Sequence, residues 1–123
     1  MSHAPIDRLS VLIVNYNSWR VCVDAVRSLQ AHPPHRADGA AMPFEIIIVD
    51  NCSPIRDAEA EAELRQLLAT GGGEGQLLMH HDNGGYGKGM NLAYSHATGD
   101  AILVCNPDLV FLPECVDKLL RYL

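Results

Sequence analysis

Three short polar segments carry the side chains best suited to chemistry, and each follows a run of apolar residues. They are Asn15-Tyr16-Asn17, Asp50-Asn51 and Asn106-Pro107-Asp108. The carboxylate of Asp108 is a hard oxygen ligand for Mg²⁺ or Mn²⁺, and Asp50 can accept a hydrogen bond from a base or a ribose. These residue types therefore favour the binding of a nucleotide together with a divalent metal.

Ordinary turns explain the same segments equally simply. Asn and Asp side chains hydrogen-bond their own backbone in turns, and Pro107 ends a strand because it cannot donate a ladder hydrogen bond. Taken alone, Asn106-Pro107-Asp108 favours a turn. The two interpretations are compatible, since a turn at the end of a strand would also direct Asp108 toward a ligand.

A fourth segment, residues 83–91, is rich in glycine and precedes a predicted helix. Backbone amides and the helix dipole favour phosphate at such a position. The segment matches neither standard phosphate motif, because Met90 replaces the third Gly or Ala of the dinucleotide fingerprint and no Ser or Thr follows Lys88. A flexible turn and a ligand contact both stay open here.

The hydrophobic pattern predicts a scaffold that brings these segments together. Short apolar runs predict buried strands at residues 9–14, 44–49, 76–81 and 101–105. Helical periodicity predicts helices at residues 19–31, 57–69 and 88–97 and one from Pro113 onward, with a flexible loop at residues 71–75. This alternation predicts an α/β fold, with a mostly parallel Rossmann-like sheet flanked by helices. Ligands of such sheets bind at the carboxyl ends of the strands.

Composition and charge exclude several other classes. The chain has 123 residues, of which 48% are hydrophobic, as expected for one globular domain. A formal net charge of −6 without a Lys/Arg cluster argues against nucleic-acid binding. The four cysteines lack metal-site spacing, and His80 and His81 would point to opposite faces of a strand. Residues 1–8 predict an N-terminal tail without signal-peptide features, and we expect a cytoplasmic protein.

In their order and spacing, residues 11–17, 48–53, 83–91 and 99–108 resemble a known family. The chain is similar to the nucleotide-binding half of inverting family 2 glycosyltransferases of the GT-A fold. Within that family it most resembles the rhamnosyltransferase-like members with an Asn-Pro-Asp metal motif. The resemblance covers residues 9–123 and implies a truncated domain, whose acceptor-binding half and general base would follow this chain.

The resemblance also implies roles for individual residues. Those that would contact the nucleotide-sugar donor are Asn15, Tyr16, Asn17, Asp50, Asn51, Gly85, Lys88, Asn91 and Asn106. The first three would line the nucleoside pocket, Asp50 would hydrogen-bond the base, and Lys88 and Asn91 would lie near the ribose or diphosphate. Asp108 would coordinate Mg²⁺ or Mn²⁺ bridging the diphosphate, which neutralises charge on the leaving group.

Two positions depart from the family pattern. Ile55 stands where many relatives have a second acid on the ribose side. Asn106 replaces the first acid of Asp-x-Asp, and a neutral amide is a weaker ligand for Mg²⁺ or Mn²⁺ than a carboxylate. The resemblance places no general base in the chain, so we predict no catalytic residue.

The sequence thus predicts the donor domain of a glycosyltransferase that moves a sugar to a glycan or a lipid-linked acceptor. We expect the full enzyme in the cytoplasm, with peripheral association at the inner face of the membrane through parts outside this chain. One alternative is a non-catalytic glycosyltransferase-like interaction module, and another is a general small-molecule α/β domain. Replacing Asp108 separates the first two, because only donor binding would depend on its carboxylate.

Overall fold

Four strands and four helices alternate along the chain in a computed structural model that describes residues 6–81 and 85–122. The strands are β1 (Leu9–Asn15), β2 (Phe44–Asn51), β3 (Glu74–His80) and β4 (Ala101–Cys105). The helices are α1 (Trp19–Ala31), α2 (Ala58–Thr70), α3 (Tyr86–His96) and α4 (Cys115–Leu120). This order confirms the predicted α/β class.

The strands form one parallel sheet in the order β3-β2-β1-β4. The chain adds β2 and β3 on one side of β1 and then crosses back to place β4 on the other side. The direction of strand addition therefore reverses between β1 and β4, and an open α/β sheet has its crevice at this point, outside the carboxyl ends of the strands. Open α/β sheets bind their ligands at such a reversal point.

Helices cover both faces of the sheet because side chains alternate along each strand. On one face, Ile13 and Ile48 belong to a core cluster that includes residues of α1 and α2. On the other face, Leu12 and Ile47 pack with Ala93 of α3. Each fully buried Leu or Ile contributes roughly 1.5–3 kcal/mol, so these two layers hold the carboxyl edge in place.

Several element boundaries differ from the predicted ones, for local physical reasons. β3 begins at Glu74, because Glu74 and Gly75 pair with β2, and the predicted loop at residues 71–75 is correspondingly shorter. α3 begins at Tyr86, two residues earlier than predicted, after Gly85 adopts a φ of +87°. α4 begins at Cys115, so the proline expected in its first turn precedes the helix.

One face of β4 is left open. Val104 is 51% exposed, whereas its neighbour in register on β1, Leu12, is 0% exposed. α3 packs on β1 and β2, and β4 lies at the edge of the sheet. Three apolar residues that follow β4 are exposed as well, namely Leu109, Val110 and Leu112.

At the opposite, amino edge of the sheet, the buried carboxylate of Glu45 joins several elements. It accepts hydrogen bonds from Ser10 Oγ at 2.6 Å and from Thr98 N at 2.6 Å, and Arg8 Nη2 lies 3.3 Å away. Burial opposes ionisation of Glu45, but these hydrogen bonds and the charge of Arg8 outweigh it and lower the pKa of the carboxyl. Arg8, from the predicted N-terminal tail, also donates to Glu74 at the start of β3.

Within the residues described, no helix combines the length and the apolar character needed to cross a membrane.

Candidate functional site

The polar segments singled out from the sequence meet at the carboxyl edge of the sheet. β1 ends at Asn15, which lies in register with Asp50 of β2. The last residue of β2, Asn51, lies in register with His80 of β3. β4 ends directly before Asn106. Parallel pairing therefore brings these side chains to one edge, as the predicted topology requires.

A first cluster lies on the face of the sheet covered by α1. Asn15 Nδ2 donates to Asp50 Oδ1 at 3.0 Å, and Asn15 Oδ1 accepts from Ser18 N at 2.9 Å. Asp50 Oδ2 also accepts from Ser53 N at 3.2 Å. Asn15 and Asp50 are 0% and 1% exposed, so in this structure their side chains order the loops that follow β1 and β2. Their predicted contacts with a nucleoside stay predictions.

The thiol of Cys22 on α1 belongs to the same cluster. Its Sγ donates to Asn15 Oδ1 at 3.4 Å. Burial, followed by the charge of Asp50, raises the pKa of this thiol to about 12. Cys22 is therefore a protonated donor at neutral pH, and it helps to fix the orientation of the Asn15 amide.

Further hydrogen bonds interlock the two loops. Asn17 has a φ of +56°, and its N–H donates to Ser53 Oγ at 2.9 Å while its Oδ1 accepts from Ile55 N at 3.1 Å. Trp19 Nε1 donates to Ile55 O at 3.1 Å. Ile55, at the position where the family resemblance leads us to expect an acid, thus contributes backbone groups and exposes its side chain. Tyr16 is 45% exposed beside this cluster and offers an aromatic surface.

A second cluster lies on the opposite face, against α3. Asn51 Nδ2 donates to Gly85 O at 3.0 Å, and His80 Nδ1 lies 3.1 Å from Asn51 Oδ1. A Cβ at Gly89 would lie 3.1 Å from Val14 Cγ1, so glycine lets the first turn of α3 approach β1 closely. The backbone amides of this first turn therefore lie beside the ends of β1 and β2. Amides at the N-terminus of a helix favour the binding of an anion.

Two polar side chains extend from the start of α3 into solvent. Lys88 and Asn91 are both exposed and lie three residues apart, on one side of the helix. Neither side chain makes a hydrogen bond or an ion pair with residues 6–81 or 85–122. A cation and an amide are thus available next to the helix N-terminus. Asn83 and Gly84, the first residues of the glycine-rich segment, lie outside the described residues.

The segment after β4 forms the turn expected from its proline. Leu109 N donates to Asn106 O at 3.2 Å, which closes a four-residue turn with Pro107 in its second position. Asp108 is exposed, and its carboxylate has no hydrogen bond or ion pair to the part of the chain that the structure describes. The turn therefore leaves this carboxylate available at the edge of the sheet.

A metal would need more ligands than the described residues supply. Among them, no group of three or more His, Cys, Asp or Glu side chains could hold an ion. Asp108 and Asn106 offer two oxygen donors, and Mg²⁺ is commonly bound by one or two carboxylates plus substrate phosphates. The residues fit a cation shared with a diphosphate.

A cavity of about 710 Å³ lies elsewhere, lined by residues that include His35, Arg36, Met42 and Asp117. It involves the loop before β2 and helix α4, and it contains none of the predicted site residues. The candidate site lies instead along the carboxyl edge of the sheet.

Comparisons with known proteins agree with this architecture. The family model described as glycosyl transferase family 2 matches residues 10–123. A crystal structure of S. aureus TarS 1–349 has a TM-score of 0.70 at 23% identity, covering 94% of this chain and 32% of that chain. The mannosyltransferase PcManGT from Pyrobaculum calidifontis, in complex with GDP-Man and Mn²⁺, has a TM-score of 0.72 at 18% identity, covering 95% and 31%.

The chain therefore spans about a third of the length of these two solved structures. At 23% and 18% sequence identity, the similarity to these structures shows the fold. No curated protein matches the sequence.

Proposed function

Since the chain belongs to glycosyl transferase family 2 and has the GT-A fold, we propose that it is the donor-binding half of a glycosyltransferase. It binds a nucleotide-diphosphate sugar with a divalent metal, for inverting transfer to a glycan or a lipid-linked acceptor. The observation that carries this proposal is the exposed carboxylate of Asp108 at the crevice between β1 and β4, which has no partner among residues 6–81 and 85–122. The Asn-Pro-Asp turn favours a rhamnosyltransferase-like member of the family.

The described clusters support one direction for the donor. The nucleoside lies by the interlocked loops, where Tyr16 offers a ring surface and Asn17 a polar one. The diphosphate points toward the N-terminus of α3, where backbone amides and the Lys88 ammonium favour negative charge. The same diphosphate then reaches Asp108 across the crevice.

Each part of this site has a distinct chemical task. Asp108, with Asn106, would hold the divalent cation, which when bound would neutralise charge on the leaving nucleoside diphosphate. Lys88 stabilises the same developing charge. Asn15 and Asp50 position the loops around the nucleoside by their hydrogen bonds to Ser18 and Ser53.

Activation of the acceptor requires a general base within hydrogen-bond reach of its hydroxyl group. We assign that base to a part of the enzyme outside this chain, since the two solved structures are about three times as long. We further propose that the full enzyme works in the cytoplasm, at the inner face of the membrane where its acceptor is lipid-linked. The isolated chain is then expected to bind donor without turning it over.

Calorimetric titration with nucleoside diphosphates, in Mn²⁺ and in chelator, tests the proposal. We expect Asp108→Ala to remove the Mn²⁺-dependent part of the affinity, a loss of about tenfold or more, because the metal loses its carboxylate ligand. Asp24→Ala is the matched control, since Asp24 on α1 is also exposed and makes no ion pair with the described residues. Absence of binding to every nucleoside diphosphate by folded wild type would overturn the proposal.

A second candidate is the non-catalytic interaction module, which the exposed apolar residues of β4 and α4 favour. Val104 on β4 and Leu119 on α4 are each 51% exposed, and Tyr122, which follows α4, is 90% exposed. Under this function Asp108→Ala leaves partner binding unchanged, and Val104→Lys abolishes it. The pair of variants thus separates the two candidates.

A further inference from the structure

We propose that His80 is a positioning residue for the diphosphate end of the site. Through Asn51 it fixes the glycine turn at which α3 begins. The consequence for ligand binding rests on the proposed function. The inference requires a proton on Nδ1 of His80, and this requirement can be tested in the protein without any ligand.

The residues involved are brought together by the sheet. Asn51 and His80 are the last pair in register between β2 and β3. Alternation places both side chains on the face of Ile47 and Leu78, which is the face that α3 covers. Asn51 is buried, and its side chain connects His80 on one side with Gly85 on the other.

The chemistry of these contacts determines where the protons lie. A carbonyl oxygen can only accept, so Asn51 must present its NH₂ group to Gly85 O. Its Oδ1 then faces His80 Nδ1 at 3.1 Å and carries no proton. His80 must therefore donate from Nδ1, and in the neutral ring Nε2 is left as the acceptor. This is the less common tautomer of a solvated imidazole.

The turn that this relay holds is weak on its own. Gly87 and Gly89 both lie in the first turn of α3, and glycine is a weaker helix former than any residue except proline. Gly89 N reaches Gly85 O only at 3.4 Å. Asn51 Nδ2 donates to the same Gly85 oxygen over a shorter distance, 3.0 Å. His80 keeps the Asn51 side-chain amide turned toward that oxygen.

This account also explains the adjacent histidines that the sequence left without a function. His81 is exposed, whereas His80 is half-buried and directed at Asn51. Among the described residues, neither ring belongs to a group of three or more His, Cys, Asp or Glu that could hold a metal ion. His80 acts on the ligand only through Asn51 and the first turn of α3.

Nitrogen-15 NMR of the histidine rings in the full chain tests the proton assignment directly. At a pH at which the ring is neutral, we expect His80 to carry its proton on Nδ1 and to show Nε2 as unprotonated. A ring protonated on Nε2 would overturn the proposal.

Two substitutions test the positioning role. His80→Asn places an amide nitrogen two bonds from Cβ, as Nδ1 is, so it keeps a donor for Asn51. His80→Gln places its nitrogen one bond further out and loses that donor. We expect His80→Gln to speed hydrogen exchange of the Gly89 amide roughly three- to tenfold, as the loss of one hydrogen bond implies, while His80→Asn stays close to wild type. Equal exchange rates in the two variants would contradict the proposal.

Ligand titration then tests the link to the diphosphate. We expect His80→Gln to weaken binding of nucleoside diphosphates by roughly three- to tenfold and to leave binding of the bare nucleoside unchanged. An equal loss for both ligands would show general damage and would overturn the role. If wild type binds no nucleoside diphosphate at all, the proposed function fails, whereas the exchange and NMR results still decide whether His80 fixes the turn.

Discussion

Adjacent residues of β2 contact different loops because their side chains point to opposite faces of the sheet. Asp50 points toward α1 and ties the loops after β1 and β2 together. Asn51 points toward α3 and reaches Gly85. A two-residue polar ending on one strand thereby organises both sides of the crevice.

Both oxygens of the Asp50 carboxylate accept hydrogen bonds. The isosteric amide of Asn would replace one of these acceptors with a donor. In Asp50→Asn, the new NH₂ group would face Asn15 Nδ2 or the donors of Ser53. We expect a loss of about 2 kcal/mol in the free energy of unfolding, measured by urea denaturation.

Asp24→Asn is the matched control, because Asp24 is exposed, and it should change the free energy of unfolding by less than about 0.5 kcal/mol. An Asp50→Asn variant as stable as wild type would show that the carboxylate does not hold the loops. If that stable variant also lost nucleotide binding, it would support the predicted base contact.

At the residue level, the sequence showed which side chains end the strands but not which of them are already engaged. Asn15 and Asp50 form a mutual hydrogen bond, and neither the motif nor its spacing indicates this. In the sequence, His80 stands out only because it is adjacent to His81, as a possible pair of metal ligands. The sequence does place His80 at the end of the third strand and Asn51 at the end of the second. To infer that the two residues are in contact, one also needs to know that these strands are neighbours in the sheet.

At the level of elements, the approach of α3 to the sheet depends on a single glycine. Gly89→Ala would place a methyl group 3.1 Å from Val14 Cγ1. Val14 is β-branched and buried, so it has little freedom to yield. Gly87→Ala is the matched control, since no described side chain or backbone atom outside the local helix lies within 4 Å of its added Cβ.

We expect Gly87→Ala to raise the free energy of unfolding by about 0.5 kcal/mol through helix propensity. Gly89→Ala gains the same propensity but loses about 1–2 kcal/mol to overpacking, so it should be the less stable of the two. Thermal or urea unfolding of both variants measures the difference. Equal stabilities would show that α3 can shift away from β1 without cost.

Helix α1 was predicted with the bounds that the structure shows, because its buried residues recur with clear helical spacing and prolines follow it. The start of β3 was not predicted, since Glu74 and Gly75 have low strand propensity and are recruited by pairing with β2. The start of α3 was missed because only Gly85, with its positive φ, marks where the helix begins.

At the level of the whole molecule, the two edges of the sheet carry different properties. The carboxyl edge holds the candidate site, and the amino edge holds the buried Glu45 network. That network joins β1, β2 and the turn before β4 through Ser10, Glu45 and Thr98. Changes at one edge should therefore leave the other largely intact.

The lowered pKa of Glu45 predicts a pH dependence of stability. Because the folded pKa lies below the ordinary value of 4.5, the charged carboxylate stabilises the fold fully above about pH 4.5. That contribution is lost as the pH falls through the lowered folded pKa. Glu45→Gln should be less stable than wild type by about 1–2 kcal/mol at pH 7, and the difference should shrink in acid.

Urea denaturation of both proteins from pH 7 down to pH 3 measures this difference. Other acids titrate in both proteins, so subtracting the two curves isolates Glu45. A difference that stays constant across this range would contradict the pKa argument.

The sequence predicted a mostly parallel sheet but gave no basis for placing β4 beside β1. Local patterns report strand periodicity, whereas this pairing joins residues as distant as Leu9 and Ala101. The crevice is therefore the part of the site that sequence reasoning on its own could not locate.

Strand order also decides when the crevice can exist during synthesis of the polypeptide. β1, β2 and β3 are complete once residue 80 has been made, whereas β4 ends at residue 105. At a ribosomal rate of roughly 5–20 residues per second, the emerging chain waits on the order of seconds for its last strand. Throughout that interval one side of β1 is an unpaired edge, open to chaperones and to other nascent chains. A ligand that binds between β1 and β4 can therefore stabilise the fold only after β4 has emerged.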